Sequence, residues 1–331
     1  MDAAGLHDPL LLLVAGLAID AVFGDLPAVF RHIPHPVMLV GRAVGFFDRK
    51  LNRDKRSEAR RRDRGILTVI ALVGAAMASG WLVERLCRAT ALGAAVECLP
   101  IAILVAQRSL YEHVAQVAVA LETAGLAGGR AAVRHIVGRD PLSLDRHGVA
   151  RASIESLAEN FSDGVVAPAF WFLLLGLPGL FAYKTANTLD SMIGHRTPHY
   201  RSFGWAAARL DDLLNLVPAR ISGLLLAAAA VFDGHARPRD ALLVMLRDAK
   251  KHRSPNAGWP EAAMAGALGL ALAGPRRYPK GLVDDPWLGE GTARAATAHI
   301  GRALRLYRLA CLITAGLLVG AWLAGHLGAI V

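Results

Sequence analysis

Apolar positions along this chain gather into runs too long for the elements of an ordinary water-soluble core. Residues 65–83, GILTVIALVGAAMASGWLV, and residues 307–330 each match the roughly 20 mostly apolar residues needed to cross about 30 Å of hydrocarbon. Residues 8–24 make a further span interrupted by Asp20. The segments 92–106, 213–232 and 258–273 are shorter or less regular, and Arg220 lies in the second of them. The segment 164–183, GVVAPAFWFLLLGLPGLFAY, carries Gly176, Pro178 and Gly179 at its middle, so a helical hairpin turning at GLPG is predicted rather than a single crossing. Two other stretches show helical spacing with polar interruptions. In 107–125 the apolar residues Leu110, Val114, Val117 and Leu121 share one face, with Gly125 as a stop signal. Residues 236–253 form a second amphipathic helix ending in the cationic run RDAKKHR, which suits a helix C-terminus. The expected fold class is therefore all-α: a polytopic integral membrane protein with about 5–8 membrane-embedded helices, one hairpin among them, plus amphipathic cytoplasmic helices. With no internal repeat or low-complexity linker, residues 1–331 read as a single membrane-embedded domain.

Composition strengthens this pattern. Of 331 residues, 54% are hydrophobic and 19% charged, against about 25% charged in a typical soluble domain. Disorder is excluded and an ordinary cytosolic enzyme disfavoured. The net charge of +10 would by itself suggest nucleic acid or an anionic membrane as partner. Its distribution decides: RKLNRDKRSEARRRDR, residues 49–64, holds nine basic and three acidic residues and so +6 of the +10. No aromatic residue interrupts this stretch and an apolar segment flanks each side, which marks a membrane-flanking cytoplasmic loop and no nucleic-acid surface. That puts the N-terminus outside, residues 107–163 in the cytoplasm, and the hairpin's ends back on the cytoplasmic side. Beyond residue 232 simple alternation sends the basic 237–253 segment outward, against the same rule. Cys87, Cys98 and Cys311 show no CxxC spacing, which argues against a disulfide framework or structural zinc. No Lys or Arg precedes the first apolar run, so it reads as a retained span rather than a cleaved signal.

Polar residues beside a bilayer are costly and mark candidate chemistry. In RASIESLAENFSDG, Arg151, Glu155 and Glu159 recur at i, i+4 and i+8, with Asn160 and Asp163 one turn on, a face suited to a divalent cation and phosphate oxygens. An ion-pair ladder on a solvated helix accounts for the same spacing. In YKTANTLDSMIGH, Lys184, Asn187 and Asp190 or Ser191 share a face suited to phosphate and, through Asp190, Mg²⁺, or serve as a snorkelling Lys and a helix end. FGWAAARLDDLLNLVPARISG supplies Arg209, Asp211, Asp212, Asn215 and Arg220, with Asp212 rather than Asp211 on the face of Arg209. HRSPNAGWPEAA offers a turn whose N–H groups could cradle an anion before a helix beginning at Pro260 and Glu261, or simply an ordinary helix start. Asp20, inside an apolar span, requires a partner or protonation. His35, between two prolines, is a fixed turn residue or a ligand.

These motifs, with GRDPLSLDRHGVARASIESLAENFSDGVVAPAFW at their head and DAVFGDLP and HPVMLVGR near the N-terminus, resemble in order and spacing the CobD/CbiB family of cobalamin biosynthesis. The resemblance implies an integral-membrane adenosylcobinamide-phosphate synthase. Such an enzyme joins the free propionate of adenosylcobyric acid to the amine of (R)-1-amino-2-propanol O-2-phosphate, or of aminopropanol itself, with ATP and Mg²⁺. The corrinoid is substrate, not prosthetic group. Catalytic work is then expected of Glu155, Glu159, Asp163, Lys184 and Asp190, and Mg²⁺ binding of Glu155, Glu159, Asp163, Asp190 and Asp212. Arg139, Arg151, Arg209 and Arg220 are expected at phosphate or carboxylate groups. Asn160, Asn187, Asp211, Ser254, Asn256, Asp25 and His35 complete the substrate-binding set. None of the twelve histidines is singled out as a cobalt ligand by its spacing. The chain lacks GxxxxGK[ST], so ATP use rests on the resemblance and on the need to activate a carboxylate. Lipid is the expected surroundings, in the inner membrane with the active site facing the cytoplasm, and membrane residence would suit assembly with later corrinoid-pathway enzymes. A transporter, or a regulatory membrane protein on the same scaffold, is the alternative reading.

Overall fold

The computed structural model describes residues 7–24, 30–31, 34–90, 92–138, 140–278 and 281–327. It is helical almost throughout and divides into two compact units, each assembled from separated segments. Unit 1 takes residues 1–106, 167–215 and 321–331; unit 2 takes 107–166 and 216–320.

Unit 1 begins with α1 (Pro9–Phe23). The Asp8 carboxylate caps it by accepting the N–H groups of Leu10 and Leu11 at 2.8 and 3.3 Å, and Gly24 ends it at φ 63°. Its 15 residues span only about 22 Å, so the 8–24 segment is a shorter apolar helix than the pattern predicts. Next come α2 (Pro36–Leu51), α3 (Glu58–Arg88) and α4 (Gly93–Leu104). The basic stretch 49–64 is mostly not a loop: Arg49 and Lys50 finish α2, Glu58 onward opens α3, and residues 52–57 connect them. Part of its charge builds this junction. Arg56 donates to the carbonyls of Lys50 and Leu51 at 3.2 and 2.5 Å, satisfying helix-end acceptors, while buried Arg61 donates to Asn52 Oδ1 at 2.7 Å and to the His199 carbonyl.

The predicted reversal at GLPG is present inside α8 (Ala167–Ile193). Gly176 there adopts φ 65°, ψ −152°, outside helical geometry. A Cβ on Gly179 would collide with the Trp171 carbonyl, although eight residues of straight helix would separate these positions by about 12 Å. The chain therefore turns back on itself. Two contacts with α3 hold the turn: the Glu84 carboxylate accepts the N–H of Leu177 at 3.1 Å, and a Cβ on Gly80 would lie 2.7 Å from the Leu177 backbone. Arg88 pairs with Glu84 at 2.7 Å. After α8 comes α9 (Trp205–Leu214). Val44, Val69, Leu189, Ile193, Phe203 and Ala207 form a buried cluster joining α2, α3, α8 and α9, which fixes the second half of α8.

In unit 2, α5 (Gln107–Thr123) buries Leu110, Val114, Val117 and Leu121, the face its periodicity predicts. Gly125, at φ 62°, interrupts the helical path before α6 (Gly125–Val133). Then come α7 (Arg146–Phe161), a π turn over Ser162–Val166, α10 (Leu216–Phe232), α11 (Pro238–Asp248) and α12 (Gly258–Leu268). The amphipathic 236–253 segment is α11 plus a 3₁₀ turn over Ala249–Lys251. Segment 258–273 is not a span. α12 has 11 residues, about 16 Å in length; nearly all are buried in protein, and the chain then enters β1 (Leu272–Ala273). Short strands β2 (Arg276–Tyr278) and β3 (Gly281–Val283) pair antiparallel, as do β1 and β4 (Trp287–Leu288), with Leu272 opposite Leu288. The long α13 (Thr297–Leu327) follows. Ala249, Ala262, Ala273 and Leu288 pack as a small core joining the β1–β4 pair to α12 and the end of α11.

Four helical runs among the described residues are long and apolar enough to cross a membrane: Glu58–Arg88, Gly93–Thr123, Arg146–Ile193, which contains the reversal at Gly176, and Thr297–Leu327. The count rises to five if Trp205–Leu214 and Leu216–Phe232 make one span. The protein is an all-α membrane protein, as expected.

Gly176→Ala would place a Cβ against Glu84 at a left-handed φ. We expect it to lower stability by about 1–3 kcal/mol, read as a reduced unfolding midpoint in detergent. Gly74→Ala, where an added Cβ meets nothing within 4 Å, should leave that midpoint nearly unchanged.

Candidate active site

The motif residues divide between the two units. In unit 1 the second half of α8 carries Lys184, Asn187 and Asp190 on successive turns, and α9 brings Asp211 against Asn187. Asn187 Nδ2 donates to Asp211 Oδ1 at 3.3 Å and Asn215 Nδ2 donates to Asp211 Oδ2 at 3.1 Å. The buried Tyr183 hydroxyl in turn donates to Asn215 Oδ1 at 2.9 Å. This chain of donors fixes both oxygens of one carboxylate, and the carboxylate of Asp190 acts on Asp211 electrostatically. Like charges that act on one another favour a bound cation or a shared proton. Asp212 instead faces Arg209, 3.8 Å away at i,i+3, the division of adjacent acids predicted from helical geometry. Tyr183 is not among the residues the sequence singles out, and Asn215, which is, carries no assigned role there. Asn215 stands in the quoted motif, four residues after Asp211, and that i+4 spacing was the available signal.

In unit 2, α7 presents the RASIESLAENF face differently from the sequence expectation. Glu155 is 3% exposed, and its Oε1 accepts the N–H of Ala273 at 2.8 Å. Ala273 has φ 58°, the only positive φ outside glycine among the described residues, so the carboxylate stabilises a strained turn. Arg151 donates to the Ala293 carbonyl and lies 5.6 Å from the Trp287 ring. Glu159 and Asn160 are exposed one turn later, and Asn160 Nδ2 donates to the Ser156 carbonyl at 2.9 Å. Asp163 falls in the π turn, whose wider i+5 register rotates it relative to the face counted from Arg151. Hence Glu155 and Glu159 share a helix but not an environment.

The SPNAGW motif follows a similar logic. Ser254 Oγ accepts the N–H groups of Asn256 and Ala257, each at 3.2 Å, so the turn's own hydroxyl occupies the donors read as an anion cradle. The helix starts at Gly258, two residues before the expected position. Arg220 donates to the Leu216 carbonyl at 2.6 Å and to Asn256 Oδ1 at 3.2 Å, with its guanidinium 4.5 Å from the Trp259 ring. In unit 1, His35 is a helix cap: Nδ1 accepts the N–H of Val37 at 3.2 Å, and its ring packs 4.6 Å from Phe30. Asp20 is buried and partnered, as its place in an apolar helix requires. Arg139 and Asp25 lie outside the described residues. Among the described residues no three His, Cys, Asp or Glu side chains gather as a metal cage.

A family profile described as CobD/Cbib protein matches residues 13–307. The chain belongs to the CobD/CbiB family. It is 52% identical over 310 residues to the cobalamin biosynthesis protein CobD of Sinorhizobium sp, covering 93% of this chain and 96% of that protein. The cobalamin biosynthesis protein CobD of Brucella melitensis is 50% identical over 320 residues, 96% and 98% of the two chains. That of Rhodobacter capsulatus is 47% identical over 299 residues, 90% and 93%. No solved structure matches the chain.

Two further groups beside the SPNAGW motif of this CobD/CbiB chain escaped the sequence reading. His252 Nδ1 accepts the N–H of Ser254 at 3.1 Å, and its Nε2 lies 3.7 Å from Glu261 Oε1, both side chains being largely buried. Asp248, 1% exposed, is gripped by Arg247 through two bonds of 2.8 Å and by Lys251 at 2.6 Å, and it accepts the N–H of Gly289 at 2.9 Å. Burial alone would raise its pKa; the bonds from Arg247, Lys251 and Gly289 prevail and hold it well below the usual carboxylate range. Its stabilising effect is thus complete above the ordinary Asp value of about 3.9 and is lost as pH falls from there toward the folded value. We expect Asp248→Asn to cost about 1–3 kcal/mol at pH 7 and to flatten the acid limb of an unfolding-midpoint profile between roughly pH 4 and pH 2.

Proposed function

We propose that this protein forms the amide between adenosylcobyric acid and (R)-1-amino-2-propanol O-2-phosphate, or aminopropanol, in an ATP-dependent reaction of cobalamin biosynthesis. The observation that carries this reading is the carboxylate network of unit 1, Tyr183–Asn215–Asp211–Asn187 with Asp190, built from motif residues of a chain that matches the CobD/CbiB family over residues 13–307. Amide formation from a carboxylate and an ammonium needs an activated acyl group, a proton acceptor for the amine and cations for the phosphates. When bound, Mg²⁺–ATP supplies the phosphoryl group that activates the carboxylate.

The residues of unit 1 fit such a ligand. Mg²⁺ carried by a nucleotide asks for only one or two protein carboxylates, and Asp190 with Asp211 provides two. Lys184 on the same helix offers a point charge for a phosphate. Asn187 and Asn215 hold Asp211 in one orientation, so it need not reorganise as charge develops. In unit 2, Glu159 and Asp163 remain suited to proton transfer or cation binding, whereas Glu155 is committed to the Ala273 turn and leaves our metal-binding set. Arg151 and Arg220, each stacked near an indole, suit carboxylate or phosphate recognition. We place the active site on the cytoplasmic side of the inner membrane, following the basic stretch at 49–64, and regard assembly with later corrinoid enzymes as consistent with that location.

The test is to incubate detergent-purified protein with adenosylcobyric acid, aminopropanol phosphate, ATP and Mg²⁺, and to detect the amide by mass spectrometry. We expect product, and a loss in kcat/KM of about 100-fold or more for Asp190→Asn and Glu159→Gln. Glu155→Gln, whose amide oxygen can still accept the Ala273 N–H, should retain most of the activity. Folded protein that makes no amide but moves a corrinoid across proteoliposomes would support a transporter instead.

A further inference from the structure

The basic stretch between α2 and α3 contains more cations than the fold consumes. Arg56 and Arg61 are used on backbone carbonyls and Asn52. Asp54 lies 3.6 Å from Arg61 and 3.3 Å from His199, while Glu58 pairs with Arg201 at 2.7 Å, so two of the three acids are occupied elsewhere. Arg53, Lys55, Arg60 and Arg62 are exposed and Arg64 half-buried, and among the described residues none of these five pairs with a carboxylate. Asp63 is the remaining acid. Desolvation, followed by the like charges of Arg64 and Arg53, lowers the pKa of Arg56.

The position of these cations selects their partner. Arg60, Arg62 and Arg64 stand on the first turns of α3, with Arg53 and Lys55 on the connection just before it, and the same helix goes on to expose Leu67 and Ile70 at 63% and 64% within a run apolar enough to cross a membrane. Arg64 and Leu67, at i,i+3, share one face and are separated by only about 4.5 Å along the axis. The Arg62 guanidinium lies 3.7 Å from the centre of the Trp205 ring, at the exposed start of α9. An indole beside a cation at the end of an apolar helix is an arrangement suited to the headgroup layer. A soluble phosphate would use the cations but leave the adjoining apolar side chains in water, whereas a phospholipid satisfies both with one molecule.

We propose that Arg53, Lys55, Arg60, Arg62 and Arg64, with Trp205, form a binding surface for anionic phospholipid headgroups. The surface is independent of the amide-forming reaction. The test is native mass spectrometry of full-length protein released from micelles containing equimolar phosphatidylglycerol and phosphatidylcholine. Wild-type protein should retain phosphatidylglycerol preferentially. Replacing all five cations with Gln, with Arg61 and Arg56 left in place, should reduce that preference roughly tenfold or more at an unchanged unfolding midpoint. Should the fivefold variant unfold, Lys55→Gln and Arg60→Gln singly should each lower it roughly two- to fivefold. An undiminished preference in these variants would overturn the proposal. So would displacement of phosphatidylglycerol by millimolar inorganic phosphate, which would indicate a site for soluble anions.

Discussion

A backbone N–H released where a helix or strand breaks inside protein or hydrocarbon must find an acceptor, and this protein answers that demand with carboxylates. Glu84 takes the N–H of Leu177 beside Gly176, Glu155 takes that of Ala273, and Asp248 takes that of Gly289. Each bond stands at or next to a residue of positive φ: 65° at Gly176, 58° at Ala273 and 84° at Gly289. The cost of such turns is local strain plus a donor that no longer belongs to a ladder. A charged acceptor offsets it better than a neutral one, since bonds to charged groups are roughly twice as strong. The hairpin in unit 1 and the β1–β4 pair in unit 2 both depend on this device.

This division of labour separates structural from chemically available acids. Arg88 pairs with Glu84, and Arg247 and Lys251 with Asp248, so these carboxylates are neutralised where they stand. Asp211 differs. Its hydrogen bonds come from the amides of Asn187 and Asn215, which orient it without cancelling its charge. A carboxylate held by neutral donors near a second acid keeps its capacity to attract a cation or a proton, and that is the physical content of the site assigned to unit 1.

Much of the helical framework was legible because its period is local. The face of Leu110, Val114, Val117 and Leu121 needs only the 3.6-residue repeat, and the turn at GLPG needs only the known habits of glycine and proline. Partners far apart in sequence were not legible. Nothing near Glu84 points to Leu177, 93 residues on, nor anything near Glu155 to Ala273, 118 residues on. The π turn at Ser162–Val166 shifts Asp163 away from a face counted on α-helical spacing, and no residue type announces it. Segment 258–273 misled for another reason: Ala and Gly are apolar enough to suggest a span, yet in α12 their small size serves close packing, as where a Cβ on Gly266 would meet the backbone of Ala241 at 2.9 Å.

The interleaving of the two units carries a consequence for biogenesis. Unit 1 closes only after residues 167–215 join residues 1–106, and unit 2 must hold 107–166 until 216–320 are made. Neither unit matures by simple extension from the ribosome. During synthesis the α5–α7 segment waits without its later partners while the hairpin is threaded into the membrane, and the last turns of α13 complete unit 1 once the whole chain is out. Assembly of this kind waits on contacts distant in sequence, the situation in which folding is slow and partly built apolar surface stays exposed longest. The order in which segments enter the bilayer, more than the strength of any one contact, then governs how much chain reaches the native state.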